Sequence, residues 1–156
     1  MKSITQSTSL TILLADDDKD DCFFFKKALK ELPFVPKLSI ASDGERLMTY
    51  LAENSDKLPD VLFLDINMPR KNGIECLTEI KLNSKLKDIP VIIYSTSAHD
   101  DIADMLYEKG AHYYLQKCDY LDLTKNIQGI LDRIIKFPER PARDKFVFNS
   151  KDYNLN

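Results

Sequence analysis

The sequence predicts an α/β protein built on a doubly wound, five-stranded parallel sheet with five helices. Three observations predict it. Short apolar runs of strand length alternate with segments of helical periodicity along most of the 156 residues. Those runs are almost continuously apolar, as expected of strands covered on both faces. Several of them also stop abruptly on polar side chains, above all Val61-Leu62-Phe63-Leu64, which stops on Asp65. An unpaired carboxylate is costly to bury, so Asp65 is expected to leave the sheet at the carboxyl end of its strand and face a partner there.

In chain order, Leu10 to Ala15 reads as a buried strand that ends in the acidic burst Asp16-Asp17-Asp18, followed by Asp20 and Asp21. Cys22 to Leu32 places Cys22, Phe25, Ala28, Leu29 and Leu32 on one helical face, and Pro33 ends it. Asp20 and Asp21 suit the N-cap and first turn of that helix. Lys37 to Ala41 alternates as a second strand, and Ser42-Asp43 opens a helix with Leu47, Met48 and Leu51 inward. The strand at 61–65 follows; Pro69 prevents its continuation, and Asn72-Gly73 turns into a helix carrying Ile74, Leu77 and Ile80. Pro90 to Tyr94 is the next buried strand, ending in Ser95-Thr96-Ser97. Asp100 to Lys109 is a short helix closed by Gly110, Tyr113 to Gln116 a last strand ending at Lys117, and Leu121 to Lys136 a final helix stopped by Pro138. No internal repeat is present.

Alternating strands and helices with right-handed crossovers favour the flavodoxin-like strand order 2-1-3-4-5. Ligands on such sheets bind at the carboxyl ends, here between the first and third strands, where Asp16, Asp17 and Asp65 would meet.

Composition narrows the function. The chain is 44% hydrophobic and 30% charged, ordinary globular material of one-domain length. A net charge of −3 gives no general attraction to nucleic acid or to an anionic membrane, so neither is expected as a partner. Three widely spaced cysteines, without a C-x-x-C pair, read as reduced thiols of a cytoplasmic protein. No apolar run reaches bilayer length, and Met1 to Ser9 lacks the apolar stretch of a secretion signal; residues 1–9 are expected to be a disordered tail. Glu139 to Lys145 is charged and punctuated by proline, so residues 138–156 are expected to form an exposed tail, within which Phe146-Val147-Phe148 has no explanation. His99 and His112 are read as solvated, Tyr113 as a packing residue, and one ring of Phe23-Phe24-Phe25 as lying near a partner surface.

Two or three carboxylates within about 4 Å repel one another by several kcal/mol unless a proton or cation neutralises them. With oxygen ligands only, the favoured cation is Mg²⁺, completed by water and substrate phosphate. Ser95 supplies a hydroxyl and Lys117 a mobile ammonium at the neighbouring strand ends. A carboxylate, a metal cradle, a hydroxyl and an ammonium are the parts needed to move a phosphoryl group onto Asp65.

The Ala-Asp-Asp-Asp end of the first strand, Leu-Asp-Ile-Asn-Met-Pro with Asn-Gly after the third, Ser-Thr-Ser-Ala after the fourth and Lys117 after the fifth resemble the receiver domain of two-component response regulators. The resemblance runs from about Thr11 to Lys136 and implies a receiver domain over residues 10–137. It implies Asp65 as phosphoacceptor, Asp17 and the backbone carbonyl of Asn67 on Mg²⁺, and Asp16 acting through water. Ser95 and Lys117 would grip phosphoryl oxygens, Tyr114 matches the family's aromatic switch position, and Asp18 matches a looser acidic position. Cys118 departs from the family, which usually has a cis-forming proline there, so the loop after the fifth strand is expected to follow another path. The length is also similar to stand-alone receivers that serve phytochrome-like kinases.

The implied protein is a self-phosphorylating switch, not a conventional enzyme. Its donor is a sensor histidine kinase or phosphotransfer protein, and its output is contact with a downstream protein or a phosphorylation-dependent homodimer. About 20 residues after Lys136 are too few for an output domain. A haloacid-dehalogenase-type phosphatase would need a second acid where Asn67 stands. A flavin- or nucleotide-binding module would want backbone donors where the five aspartates lie. A degenerate receiver is disfavoured because every chemical position is filled.

Overall fold

The apolar runs become strands because their alternate residues have separate cores to enter. Leu13, Leu62, Leu64, Val91 and Ile93 face one core, while Ile12, Leu14, Phe63, Ile92 and Tyr94 face the other. The computed structural model describes residues 10–96 and 100–149. Residues 1–9, Ser97, His99 and residues 150–156, on which parts of the sequence reading fall, lie outside the described residues.

The elements run β1 (Thr11–Ala15), α1 (Lys19–Leu29), β2 (Lys37–Ala41), α2 (Gly44–Glu53), β3 (Val61–Leu64), α3 (Gly73–Leu82), β4 (Val91–Ser95), α4 (Asp100–Glu108), β5 (Tyr113–Gln116) and α5 (Tyr120–Lys136). The strands are parallel in the order β2-β1-β3-β4-β5, as the sequence predicts, with helices on both faces. Leu47 and Leu51 of α2, with Cys76, Leu77 and Ile80 of α3, fill the first core. Phe25 and Leu29 of α1, with Ile127, Ile130 and Leu131 of α5, fill the second. No helix among the described residues is long and apolar enough to cross a membrane.

A short sixth strand extends the predicted five-stranded sheet, and it corrects the expectation of an exposed tail. After α5 a short 3-10 turn (Arg143–Lys145) leads into β6 (Val147–Phe148), which pairs parallel to β5 through Tyr114–Val147 and Leu115–Phe148. Phe146 is 0% exposed. Its ring stands edge-on to Tyr107 of α4 and Tyr114 of β5, with centroids 5.3 and 6.4 Å away. Phe148 lies so close to Gly129 that a Cβ there would sit 2.7 Å from its ring. The polar residues of the segment fasten it further. Arg143 Nε donates to Asp104 Oδ1 at 2.6 Å, and Arg140 stacks on Tyr107 with 4.0 Å between guanidinium and ring centroid. Arg140 and Arg143, two of the charges that suggested a solvated tail, are tethers, and the aromatic triplet runs into the edge strand with the Phe146 and Phe148 rings buried.

Two smaller expectations also shift. His112 is half-buried rather than solvated, and burial pushes its imidazole down to about 4. Of the phenylalanine run, Phe25 is buried while both Phe23 and Phe24 are exposed. Phe146→Ala is expected to lower stability by about 3 kcal/mol. It should also speed tryptic cleavage after Arg143 and Lys145. Denaturant melts and a digestion time course check both, and an unchanged digestion pattern would mean that residues 140–148 do not depend on this ring.

Candidate functional site

At the carboxyl end of the sheet an open cavity of about 470 Å³ is lined by Asp17, Asp21, Asp65, Asn67, Thr96 and Lys117, among others. Strand ends place these groups. Asp65 follows the last residue of β3 and its N–H donates to Ala15 O at 2.9 Å, which keeps the carboxylate beside the end of β1. Gly73 lets α3 begin against this point: a Cβ there would sit 2.2 Å from Asp65 O. Asn72 caps α3, taking the Glu75 N–H while Glu75 accepts from Asn72 N. Between them the loop turns through Arg70 at φ 70°, and the Arg70 guanidinium lies 3.4 Å from buried Asp43, the N-cap of α2.

Asp16 and Asp65 are 1% and 5% exposed. With exposed Asp17 they bring carboxylate oxygens within 4.8 Å of one another. Asp16 Oδ1 accepts the Asp18 N–H at 2.9 Å. Asp16 Oδ2 is 2.9 Å from Lys117 Nζ, an ion pair in which no donor is well aligned on that oxygen. An all-oxygen set with one poorly satisfied buried oxygen fits a hard divalent cation.

Lys117 is the one cation drawn into the cluster among the described residues lining the cavity whose ammonium meets three carboxylates. Its Nζ lies 2.8 Å from Asp21 Oδ2, 2.9 Å from Asp16 Oδ2 and 3.3 Å from Asp65 Oδ2. Burial alone would lower its pKa, but the close carboxylates of Asp16 and Asp21 outweigh that and hold it above the usual lysine value. Burial pushes the Asp16 carboxyl from 3.8 up to about 6; Lys117 and the Asp18 N–H pull against this, while Asp65 adds to it.

The structure therefore brings together Asp16, Asp17, Asp65 and Lys117, with Asn67 on the cavity wall. Ser95 lies behind them, fully buried; its backbone carbonyl accepts the Lys117 N–H at 2.8 Å. Thr96, which sequence reasoning passed over, lines the cavity instead. The Tyr114 phenol sits beside Ser95, though neither hydroxyl makes a well-formed hydrogen bond, and burial raises the phenol's pKa. Asp18, matched above to an acidic position, is the N-cap of α1 and accepts the Asp21 N–H at 3.0 Å. That moves the helix start back from Asp20, leaving Asp20 and Asp21 in its first turn. Sequence reasoning assigned Asp21 only a helix-end role and missed its contact with Lys117. The peptide after Lys117 is trans, and Asn126 Nδ2 donates to Cys118 Sγ at 3.3 Å.

A parallel α/β sheet gathers acids and a lysine at its carboxyl edge, and residues 12–128 match the response regulator receiver domain family. The chain belongs to that family, the receiver domains of two-component signalling. It is 40% identical over 125 residues to response regulator Rcp1 of Synechocystis sp., a match spanning 76% of this chain and 84% of Rcp1. The Mn²⁺-bound form of Rcp1 has a similar structure, with a TM-score of 0.73 at 36% identity over 85% of this chain and 99% of that one. The phosphorylated cyanobacterial phytochrome response regulator RcpA is also similar, with a TM-score of 0.74 at 29% identity over 85% and 97%.

The raised Asp16 pKa has a pH signature in metal-free protein. The unfolded carboxyl ionises near 3.8 and the folded one near 6, so the folded chain binds more protons between those values. Stability from this group is full below about pH 4 and is lost as pH rises through about 6, by at most about 3 kcal/mol. Asp16→Asn should therefore gain on wild type between pH 4 and pH 7 in denaturant melts with chelator. A pH-independent difference would mean that Asp16 ionises normally.

Proposed function

We propose that the protein is a response regulator that accepts a phosphoryl group on Asp65 from a phosphohistidine of a sensor kinase or phosphotransfer protein. The observation that carries this reading is the convergence of Asp65, Asp16 and Asp17 within 4.8 Å, with Lys117 Nζ 3.3 Å from Asp65. An Asp65 oxygen attacks phosphorus, a P–O bond forms, the P–N bond to the donor histidine breaks, and the imidazole leaves with the bonding pair. Asp17, Asp65 and the Asn67 carbonyl, with Asp16 through water, would hold Mg²⁺, which would neutralise the carboxylates and the incoming phosphoryl charge. Lys117 offers one of its donors to a phosphoryl oxygen, and the Ser95 hydroxyl, free of a well-formed bond, donates to another.

The donor protein approaches beside the cavity, where Phe23 and Phe24 of α1 and Leu121 of α5, which is 84% exposed, offer apolar contact. Phe24 and Tyr120 join those two helices with ring centroids 5.8 Å apart. Three unpaired cysteines support a reducing, cytoplasmic setting. The named function of RcpA favours a phytochrome-like kinase as donor.

For output, Tyr114 is already buried between Ser95 and Phe146. A phosphoryl group adds about −1.5 to −2 charges and strong acceptors. Drawing Ser95 towards it changes the space at Tyr114, and Phe146 carries that change to the surface formed by α4, β5 and residues 140–148. Contact of this surface with a downstream protein, or with a second phosphorylated copy, is the output.

Asp65→Asn, exposed to acetyl phosphate and Mg²⁺, should show no added phosphate by intact mass where wild type is modified. Full modification of the variant would place the acceptor elsewhere. Tyr114→Ala should keep phosphate uptake within a fewfold of wild type yet lose the phosphate-dependent amide-exchange change over residues 139–149. A change of wild-type size there would reduce Tyr114 to a packing residue.

A further inference from the structure

We infer that Asp21 is a positioning residue for phosphoryl transfer, holding the Lys117 ammonium in place when a cation takes up the other carboxylates. The inference rests on Lys117 acting on the phosphoryl group as described above, and it concerns what keeps that lysine in place.

The geometry separates Asp21 from the other acids. Asp16, Asp17 and Asp65 are the described acids whose carboxylate oxygens cluster within 4.8 Å, and Asp21 is not among them. It nevertheless makes the shortest contact to Lys117, 2.8 Å against 2.9 Å for Asp16 and 3.3 Å for Asp65. A dication on the clustered acids draws on Asp16 and Asp65, and their attraction for the ammonium weakens. Asp21 stays free to hold it. An ammonium has three donors, so Lys117 can keep Asp21 and still donate a hydrogen bond to a phosphoryl oxygen.

The support on each side differs. Lysine is a flexible four-carbon stem with a point charge at its tip, so fixing its backbone does little to fix its ammonium. Here the backbone is anchored by its N–H on Ser95 O, and the loop beyond it continues through a trans peptide into exposed Cys118. The tip is held from across the cavity, 96 residues away in sequence. Asp21 is itself rigidly placed, in the first turn of α1 with its N–H on the Asp18 carboxylate at 3.0 Å. With side-chain exposures of 10% for Lys117 and 34% for Asp21, the pair is screened less than a surface ion pair.

A helix-end charge would instead act through α1 alone, whatever stands at 117. Full-length protein exposed to acetyl phosphate, over a Mg²⁺ titration and read by intact mass, separates these roles. Asp21→Asn is expected to slow phosphorylation at saturating Mg²⁺ by roughly tenfold, the scale of one charge-assisted contact, and to leave the Mg²⁺ dissociation constant within about twofold. Asp21→Glu, which keeps the charge, should recover part of the rate. In a Lys117→Gln background, Asp21→Asn should add no further slowing, and circular dichroism confirms that each variant is folded. A rate for Asp21→Asn equal to or above wild type, a weakened Mg²⁺ affinity, or slowing that persists without Lys117 would each overturn the inference. If wild type itself takes up no phosphate, the Asp65 reading fails and not this one alone.

Discussion

Three aspartates share one lysine with a fourth beside them, and the carboxyl edge of this fold is arranged around that shortage of positive charge. Lys117 contacts Asp16, Asp21 and Asp65, while Asp17 completes the acidic group without touching it. At an effective dielectric near 20, a pair of carboxylates this close repels by a few kcal/mol. The ammonium offsets part of that, and burial adds its own cost to the charged form of Asp16, whose pKa is raised as a result. Such a site is costly for the metal-free protein and receptive to a cation. The same excess of negative charge would repel a phosphoryl group, so cation and phosphate belong to one electrostatic problem.

The fold solves the placement with short-range rules. β1 and β3 are adjacent and parallel, with Ala15 paired to Leu64, so the residues that follow each strand emerge side by side. Gly73 brings the start of α3 against Asp65, and the Asn72–Glu75 capping box fixes that start. On the other side Asp18 caps α1 and sets the rotation at which Asp21 faces Lys117. None of these contacts touches a ligand, yet each decides where a functional carboxylate points.

Much of this was legible in the sequence, and the reason is local. Asp65, Asp16, Asp17 and Lys117 each end an apolar run, so a strand pattern and a parallel sheet suffice to bring them to one edge. Asp21 was legible only as a helix-end charge, because its contact with Lys117 depends on the rotation of α1 and on a residue 96 positions away. The choice of Asp18 over Asp20 as N-cap turned on one hydrogen bond, from the Asp21 N–H to the Asp18 carboxylate, among neighbouring aspartates of equal propensity. His112 read as solvated because its neighbours in sequence are polar, while what covers it is brought by the fold. Phe146 to Phe148 stayed unexplained for a related reason: two strand residues carry too little periodicity to read, and their pairing with β5 is non-local.

That short strand changes how the β5 side of the molecule should be viewed. Without it β5 would be an edge, with Tyr114 and Leu115 offering unpaired backbone to any passing strand. β6 takes the Tyr114 N–H on Phe146 O at 3.0 Å and buries two aromatic rings over the same stretch. It needs little length because α4 and α5 help to hold it: Tyr107 donates its hydroxyl to Pro141 O at 2.8 Å, and Gly129 makes room for Phe148. The price is that Tyr114 no longer borders solvent. On the reading proposed for Tyr114, a partner senses this tyrosine through Phe146 and its flanking arginines, which adds residues 140–148 to the proposed output surface of α4 and β5.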